Sequence, residues 1–402
     1  MLVRREEYLE KLSGFMNKPV IKVITGMRRC GKSTVMIMAA DELRKNGVRD
    51  KNILYINKES LEFEFIQNAI ELDKYVRSAF RNLSGKKYVF IDEVQEIKNW
   101  EKGVLSLQTD KISDIIITGS NAHLLSSELA TLLSGRYVEL RIFPLVFSEF
   151  LKFPLAMGKS ADDAFRSFLK FGGLPGIHSF EDETHIYEYL NSVINTLLLK
   201  DVIRRNNIRD VHLLEKIFFY LLDNCGNITT AKSTSDFLKS QKTKVSVDTV
   251  QNYFRFLESA FMVYRIPRYD LKGKKYLEYY DKIYMGDTGL RAGAIGYKDR
   301  DISGILENIV LLELKKRGYD VSVGVQDGYE IDFIAQNKKD KIYIQVSRNL
   351  ESEMTVQREF GNLLNINDNY RKYVITLDKF FPSDFNGITH QYLLDFLVNP
   401  AF

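Results

Sequence analysis

The sequence predicts an α/β protein whose first part is a parallel sheet covered by helices on both faces. Four short runs, at 20–25, 52–57, 87–92 and 114–120, are apolar nearly throughout and are separated by helical stretches. Continuous apolar strands of this kind are typical of parallel sheets that are buried on both sides. The first helix is expected from about Lys32 to Asn46, because Gly47 then supplies a helix stop.

Composition limits the classes of protein that this chain can be. Its 402 residues suggest about two or three domains, and 45% hydrophobic with 27% charged residues is ordinary globular composition. The net charge of +4 makes any nucleic-acid surface a local patch. Cys30 and Cys225 stand far apart, which favours a reducing compartment over a disulfide framework. With no secretory leader and no run of about 20 apolar residues, we expect a soluble, cytoplasmic protein without a membrane segment.

A complete phosphate-binding motif, G-x-x-x-x-G-K-[ST], follows the first predicted strand and opens the first predicted helix. Glycines allow the loop amides to point at phosphate oxygens, and the helix adds its N-terminal dipole. Lys32 is expected to reach the β- and γ-phosphates, and the Ser33 hydroxyl to bind Mg²⁺. The predicted nucleotide-binding residues are Gly26, Met27, Arg28, Arg29, Cys30, Gly31, Lys32, Ser33 and Thr34.

An acidic pair ends the third predicted strand. Asp92 stands where a carboxylate can hold Mg²⁺ through water, and Glu93 where it can polarise an attacking water. A carboxylate beside the magnesium aspartate favours ATP hydrolysis over phosphoryl transfer to a small metabolite. The alternative interpretation is an exposed acidic pair after a strand.

Two further positions complete the predicted catalytic set. Ser120 or Asn121, at the end of the fourth strand, can sense the γ-phosphate, unless this is a simple strand-end turn. Arg136 ends the predicted helical stretch 127–136 and could enter the nucleotide site of a neighbouring subunit to stabilise transition-state charge. The plainer interpretation of Arg136 is an ordinary ion pair.

These motifs resemble the AAA-type, additional-strand catalytic-Glu P-loop ATP-binding proteins with a C-terminal DUF4143-type, nuclease-like domain. The matching stretches are VRREEYLEKL, ITGMRRCGKST, FIDEVQ, ITGSNAHLLSSELATLLSGR, FPLVFSEF, FGGLP, YRIPRYDLKGKK, KIYMGDTGLR, EIDFIA and YIQVS. The resemblance implies an α/β fold with a parallel-sheet P-loop ATPase core, a helical lid, a winged helix and a small α/β restriction-endonuclease-like domain. The expected bounds are 1–152, 153–205, 206–295 and 296–402.

The winged helix is also indicated by the residues themselves. Two helices at 233–240 and 246–263 precede a hairpin around 270–275, and helix–turn–helix followed by a hairpin is a winged-helix pattern. Cations could neutralise DNA phosphates here, or could simply be solvated. They are Lys232, Lys239, Lys242, Lys244, Arg268, Lys272, Lys274 and Lys275.

The last domain carries a second polar constellation. Glu307 on a helix expected over 303–318, with Asp332 and Gln345 on two strands, resembles the PD-(D/E)XK nuclease arrangement. Gln345 replaces a charged ligand, and Ser347 stands where the lysine of such a site would be. The expectation is a relic nuclease site, a polar pocket with no cation of its own; an active nuclease and an unrelated α/β domain stay open.

The sequence therefore predicts an ATPase that uses ATP and Mg²⁺ to move its winged-helix and nuclease-like parts, with nucleic acid as the expected target. ATP-promoted self-association into a homo-oligomer is also expected. The alternatives are a nucleotide-gated scaffold that never contacts DNA, and an ATP-regulated, metal-dependent nuclease.

Overall fold

The computed structural model describes residues 3–121, 133, 135–297 and 302–399, and the chain divides into two compact units. Unit 1 comprises Met1–Phe143 with Ser259–Phe261, and unit 2 comprises Pro144–Glu258 with Met262–Phe402. Within the described ranges, no helix is both long and apolar enough to cross a bilayer. The finer four-part division stays a prediction.

Unit 1 is built on a parallel sheet, as predicted, and this sheet has five strands. Its strands are β1 (Ile21–Thr25), β2 (Ile53–Asn57), β3 (Tyr88–Asp92), β4 (Asp114–Gly119) and β5 (Tyr137–Arg141). They lie in the order β2-β3-β4-β1-β5, and all four neighbouring pairs are parallel. The helices are α1 (Glu6–Phe15), α2 (Lys32–Lys45), α3 (Ala69–Ala79) and α4 (Trp100–Thr109).

Both faces of this sheet are buried, which is why its strands are apolar at successive positions. Val23, Val89 and Ile117 lie on one face in a core cluster with residues of α3 and α4. Phe90 and Ile116, one position along their strands, are equally buried on the other face. The carboxyl ends of β3, β4 and β1 meet along one edge, where open α/β sheets bind ligands.

Unit 2 begins with helices. They are α5 (Phe147–Phe150), α6 (Ala161–Phe171) and α7 (Glu183–Thr196), which continues as a π-helix over Leu197–Arg204. Three more follow: α8 (Val211–Asp223), α9 (Ala231–Ser240) and α10 (Val247–Ser259). The last is shorter than predicted, since Phe261 takes a positive φ of 57° and turns the chain into a strand.

A mixed eight-stranded sheet forms the rest of unit 2. Its strands are β6 (Val263–Asp270), β7 (Lys275–Met285), β8 (Asp320–Gln326), β9 (Tyr329–Gln336), β10 (Lys341–Val346), β11 (Arg371–Thr376), β12 (Asp384–Phe385) and β13 (Ile388–Tyr392). The order is β12-β13-β11-β10-β9-β8-β6-β7. The helices are α11 (Thr288–Ile295), α12 (Ile302–Lys316), α13 (Glu353–Leu364) and α14 (Leu393–Val398).

Two features of this sheet matter for function. The hairpin β6–β7 turns at 270–275 as predicted, and β6 pairs in parallel with β8, so the hairpin is part of the C-terminal sheet. From α12 onward the order is helix, three antiparallel strands (β8, β9, β10), helix α13 and then β11, which is parallel to β10. One side chain of the hairpin, that of Lys282 on β7, contacts side chains of α12 and β9.

Two of the family stretches quoted above contact each other inside unit 2. Asp287 caps α11 by accepting a hydrogen bond from the Gly289 amide at 2.8 Å, and its other oxygen accepts one from the Gly173 amide at 2.7 Å. Gly172 has a positive φ of 71°, and a Cβ built on it would lie 2.2 Å from the Asp287 Oδ1 atom. The stretches FGGLP and KIYMGDTGLR therefore pack directly against each other.

Candidate nucleotide site and a buried lysine–carboxylate cluster

The phosphate-binding loop leaves β1 and enters α2, as predicted. Gly26, Arg29 and Gly31 have positive φ angles of 145°, 68° and 104°. A Cβ on Gly26 would lie 2.2 Å from the Ile142 carbonyl oxygen, so only glycine fits there. The N-cap residue of α2 is Gly31, which has no side chain to satisfy the first helical amides. Those amides can therefore bind an anion.

Lys32 lies inside this loop. Its ammonium is buried and donates to the carbonyl oxygens of Gly26 at 3.0 Å and Met27 at 3.1 Å. A phosphate in the loop would replace these carbonyls as the partner of the ammonium. Ser33 and Thr34 lie in the first turn of α2, where their hydroxyl groups are near the same amides.

Arg5 holds the phosphate-binding loop through its carbonyl groups. Sequence reasoning did not single out this residue. This buried residue precedes α1 and donates to the carbonyl oxygens of Cys30 and Phe143, each at 3.0 Å. Cys30 is buried too, and burial raises the pKa of its thiol, so it is a packing residue and not a nucleophile. Arg5 thus ties the loop to the end of the sheet.

Asp92 ends β3 in a fixed orientation. Its Oδ1 atom accepts a short hydrogen bond from the Thr118 hydroxyl, and its Oδ2 atom accepts one from the Tyr55 hydroxyl at 3.1 Å. Burial, followed by the negative charge of Asp92, raises the pKa of Tyr55, so that residue acts as a neutral donor. The parallel registers of β2, β3 and β4 bring these three side chains together.

Glu93 adopts a left-handed conformation, with a φ of 55°, directly after the strand. Such backbone strain costs about 1–3 kcal/mol and clusters at active sites. The Glu93 amide donates to the Thr118 hydroxyl at 2.9 Å, and its carboxylate accepts hydrogen bonds from Gln95 and, at 3.4 Å, from Ser120. Arg28 lies 3.9 Å from the same carboxylate and forms a closer pair with Glu59, at 2.8 Å.

The predicted residues at this edge therefore fall into one group. The loop, Asp92, Glu93 and the buried Ser120 and Asn121 follow the carboxyl ends of β1, β3 and β4. A hydroxyl and a carboxylate are hard oxygen donors, and Mg²⁺ usually takes only one or two carboxylates together with substrate phosphates and water. Ser33 and Asp92 fit that requirement. Across the described ranges, no group of three or more His, Cys, Asp or Glu residues could hold a metal ion by itself, so an ion here would also need the nucleotide phosphates.

Arg136 lies at the opposite end of the sheet. It precedes β5, whose first residue pairs with Ile21, whereas the phosphate loop leaves β1 after Thr25. At about 3.3 Å per residue, Arg136 is roughly 15 Å along the strands from its own loop. The side chain is exposed, so any contact with a phosphate would be with the nucleotide of another copy. The predicted helix before it lies largely outside the described residues, at 127–132 and 134.

The second predicted constellation also comes together, in unit 2. The backbone pairing of β9 with β10 ends at Phe333 and Ile344. Beyond this pair, hydrogen bonds between backbone amides and side chains connect the two strands. The Asp332 amide donates to the Gln345 side-chain oxygen at 3.3 Å, and the Val346 amide donates to the Asp332 carboxylate at 2.9 Å. A bulge in the pairing of β8 with β9 lies beside Asp332, and bulges commonly re-aim side chains in this way.

A lysine that sequence reasoning missed occupies the centre of this constellation. Lys282 of β7 is 5% exposed, and its ammonium lies 2.7 Å from Glu330, 3.2 Å from Glu307 and 3.4 Å from Asp332. The expectation of a pocket without its own cation was therefore wrong. Position 347, directly after β10, is a serine, but β7 brings a lysine to the cluster from outside the three-strand motif.

Protonation in the cluster follows from burial and charge. Burial raises the pKa values of Asp332 and Glu307 above their ordinary values, and the positive charge of Lys282 offsets part of that rise. Burial alone would lower the pKa of Lys282, but Asp332, Glu307 and Glu330 together raise it above its ordinary value. Tyr284, two residues further along β7, donates to Glu307 at 2.7 Å. The signal in the sequence was a lysine that stands directly before the apolar and aromatic residues IYM, because a lysine buried among such residues needs a charged partner.

Comparisons with known proteins agree with the geometry of unit 1. A model of an AAA domain matches residues 18–151, and a model of a domain of unknown function, DUF8612, matches residues 162–301. The expected DUF4143 assignment was therefore wrong for the region that follows the ATPase core. A Walker-type ATPase of Pyrococcus abyssi has the same fold at a TM-score of 0.53 and 17% identity, covering 73% of this chain and 95% of that one.

Two relatives match at the level of sequence. An uncharacterized protein of Haemophilus influenzae is 38% identical over 399 residues, which is 99% of each chain. An uncharacterized protein of Methanocaldococcus jannaschii is 31% identical over 353 residues, 84% of this chain and 77% of that protein. The chain belongs to the same family as the Haemophilus influenzae protein, a family whose N-terminal part is an AAA-type P-loop ATPase core.

Proposed function

We propose that this protein binds ATP with Mg²⁺ and hydrolyses it at the carboxyl edge of the unit 1 sheet. The observation that carries the proposal is the hydrogen-bonded group of Asp92, Thr118 and Glu93 at the strand ends beside the glycine loop. Mg²⁺ held by Ser33 and Asp92 would neutralise charge on the phosphates. Lys32 would bind phosphate oxygens, and Glu93, held by Ser120 and Gln95, would orient and polarise the attacking water.

We further propose that ATP turnover moves the helical and C-terminal parts of the chain, with nucleic acid as the target. Three helices, α8 to α10, precede the hairpin β6–β7, and Ile228, between α8 and α9, forms an antiparallel bridge with Lys282 of β7. This order supports a winged helix. Exposed lysines stand on α9 and on the turn after it; they are Lys232, Lys239, Lys242 and Lys244.

The target is tested by measuring ATP turnover with and without duplex and single-stranded DNA. We expect DNA to stimulate turnover and to bind in a salt-dependent manner, because phosphate contacts release counterions. Turnover that is unaffected by any nucleic acid, with no measurable binding, would favour the rival proposal of a nucleotide-gated scaffold. DNA cleavage would point to the third possibility, a nuclease regulated by ATP.

Reversing the charges of the hairpin tip is expected to weaken DNA binding and to flatten its salt dependence. The change is Lys272→Glu, Lys274→Glu and Lys275→Glu together; all three side chains are exposed. ATP binding should not change, since the loop residues belong to unit 1. The measurement is DNA affinity at several salt concentrations.

Two controls sharpen that experiment. Lys338 and Lys339 lie on another exposed turn of unit 2, and reversing these two charges tests whether a charge reversal away from the hairpin also weakens DNA binding. Lys272 is paired with Asp327 at 2.6 Å, so Lys272→Gln separates the loss of a cation from a new repulsion. DNA affinity that survives the triple reversal would leave the hairpin tip as a solvated turn.

Arg136 is expected to act on the nucleotide of a neighbouring copy. Its position at the far end of its own sheet supports a role only between subunits. Arg136→Ala should lower turnover, by about 10³-fold or more for an arginine that stabilises transition-state charge. ATP binding should be nearly unchanged. The measurement is steady-state phosphate release, with the assembly state followed by light scattering with and without ATP.

A mixing experiment decides between a role in trans and a role in cis. Arg136→Ala subunits keep a complete loop, and Lys32→Ala subunits keep the arginine, so a mixture should recover part of the turnover that both lack alone. A protein that stays monomeric at full ATPase activity would eliminate the shared site.

A further inference from the structure

We infer that a groove on the unit 2 sheet binds single-stranded nucleic acid, with a base against Tyr276 and phosphates on the lysines at the turn between β9 and β10. The inference rests on the proposal that nucleic acid is the target, but not on ATP turnover or on the hairpin tip. Among the described residues, the groove shares no lining side chain with the Lys282 cluster.

The groove has a volume of about 910 Å³, within the range of about 300–1,000 Å³ that is usual for ligand pockets. Two rows of paired residues on β8, β9 and β10 line it, Asp320–Gln336–Lys341 and Ser322–Ile334. Alternate residues of a strand point to the same face of a sheet. The two rows therefore lie side by side on one face.

Two tyrosines give the groove flat surfaces. Tyr269 of β6 and Tyr276 of β7 lie opposite each other, with ring centroids 5.2 Å apart and ring planes at 67°. Tyr276 is 64% exposed, so its ring is available for stacking. Any base can stack on such a ring, because every base has a π-face. A duplex keeps its bases stacked inside the helix, so this surface favours a single strand.

The turn between β9 and β10 brings positive charge to the groove through two exposed lysines, Lys338 and Lys339. The Asn337 side chain fixes this turn by accepting hydrogen bonds from the amides of Lys339 and Asp340, at 2.8 and 2.9 Å. The carboxylate of Asp340 pairs with Arg371. In the described part of the chain neither ammonium has a carboxylate partner, so both can bind phosphate.

Lys341 adds a third cation to the groove. Its ammonium lies 4.9 Å from the ring centroids of Tyr343 and Tyr370. Burial lowers the pKa of Lys341, and the charge of Asp368 offsets only part of that effect. An anion bound nearby would stabilise the charged form. Asp320 is the one carboxylate among the described lining residues, so positive charge predominates.

A buried hydroxyl gives the groove a polar contact as well. Ser322 is 8% exposed, and its side chain makes no hydrogen bond to any residue that the structure describes. Buried polar groups normally have a partner, and a base edge or a phosphate oxygen would supply one. An acidic peptide could pair with the lysines, but its carboxylates would leave the tyrosine rings unused. A nucleotide strand engages the rings, the lysines and the hydroxyl together.

The test measures the affinity of the full chain for a fluorescent oligothymidylate of about 12 nucleotides. No ATP is added, and a 5′-hydroxyl end keeps a terminal phosphate out of the glycine loop. Tyr276→Ala should weaken binding by about 5- to 150-fold, the usual loss for one stacked base. Tyr276→Phe keeps the ring and should bind as the wild type does. Duplex DNA of the same length should bind equally to wild type and to Tyr276→Ala.

Tyr329→Ala is the matched control. Tyr329 is 58% exposed and does not line the groove, so its removal should leave single-strand affinity unchanged. Lys338→Gln together with Lys339→Gln removes two cations without adding a repulsion. This double change should lower the slope of log affinity against log salt by about 1.4, or about 0.7 for each lost phosphate contact. Polyglutamate should compete more weakly than an unlabelled oligothymidylate of equal charge.

Four results would overturn the inference. They are an unchanged single-strand affinity in Tyr276→Ala, an equal loss in Tyr329→Ala, an equal loss for duplex DNA, and equally effective competition by polyglutamate, which would identify an acidic peptide as the occupant. Single-strand binding that depends on Tyr276 without any stimulation of ATP turnover would support the inference. It would contradict only the proposed coupling of turnover to nucleic acid.

Discussion

Glu93→Gln is expected to leave ATP binding intact and to lower ATP turnover by about 10²–10⁴-fold, the usual contribution of a positioned general base. The amide can still accept a hydrogen bond from Ser120, so the strained turn after β3 should keep its shape. It cannot take a proton from water. Asp92 and Ser33 are untouched, so magnesium and nucleotide should bind as before.

The companion change, Lys32→Ala, should act on binding itself. The ammonium is the buried cation of the loop, and its removal leaves the phosphates with backbone amides alone. Affinity for a fluorescent ATP analogue should fall strongly, and turnover should be lost with it. The two variants therefore separate binding from chemistry.

Glu59→Gln is the control for Glu93→Gln. Both carboxylates lie beside Arg28, at 2.8 Å for Glu59 and 3.9 Å for Glu93, and Glu59 is the more exposed. Equal loss of turnover in the two variants would mean that turnover depends on the orientation of Arg28, and that Glu93 does not act as a general base. Turnover by Glu93→Gln at the wild-type rate would remove the proposed role of Glu93 altogether.

The sequence was sufficient for the parallel sheet of unit 1 and for the strand ends at which Asp92, Ser120 and Asn121 lie. Short apolar runs that alternate with helical stretches are typical of a parallel sheet buried on both faces, and the residues that follow such strands meet at one edge. The orientation of those residues was not predictable in the same way. Tyr55 and Thr118 hold Asp92 only because of the register of β2 and β4 against β3.

The cluster in unit 2 shows the same limit more clearly. Glu307, Asp332 and Gln345 could be recognised because they lie within one short stretch of the chain, on α12, β9 and β10. Lys282 stands before all of them in the chain. It reaches them because β6 pairs with β8 across a break in the antiparallel order. No local pattern encodes that pairing, so the sequence predicted a missing cation where the fold supplies one.

The contact between Gly172 and Asp287 was likewise invisible in the sequence, and it predicts the largest effect on stability. Gly172 is the C-cap of α6, with φ 71° and ψ −160°. A methyl group there would lie 2.2 Å from the Asp287 Oδ1 atom and 2.4 Å from the Gly289 amide nitrogen. Neither neighbour can retreat, because the Asp287 carboxylate is fixed by amides on both of its oxygens.

Gly172→Ala should therefore destabilise unit 2 by more than about 4 kcal/mol, the range reserved for severe disruptions of a core.

Gly296→Ala is a closely matched control. Gly296 is the C-cap of α11, with φ 75° and ψ 171°, and a Cβ there would meet nothing within 4 Å. Both substitutions carry the same backbone strain, about 1–3 kcal/mol. The difference between them in chemical denaturation measures the clash with Asp287 and Gly289. Equal losses in the two variants would show that backbone strain, and not the packing of FGGLP against KIYMGDTGLR, makes glycine necessary at position 172.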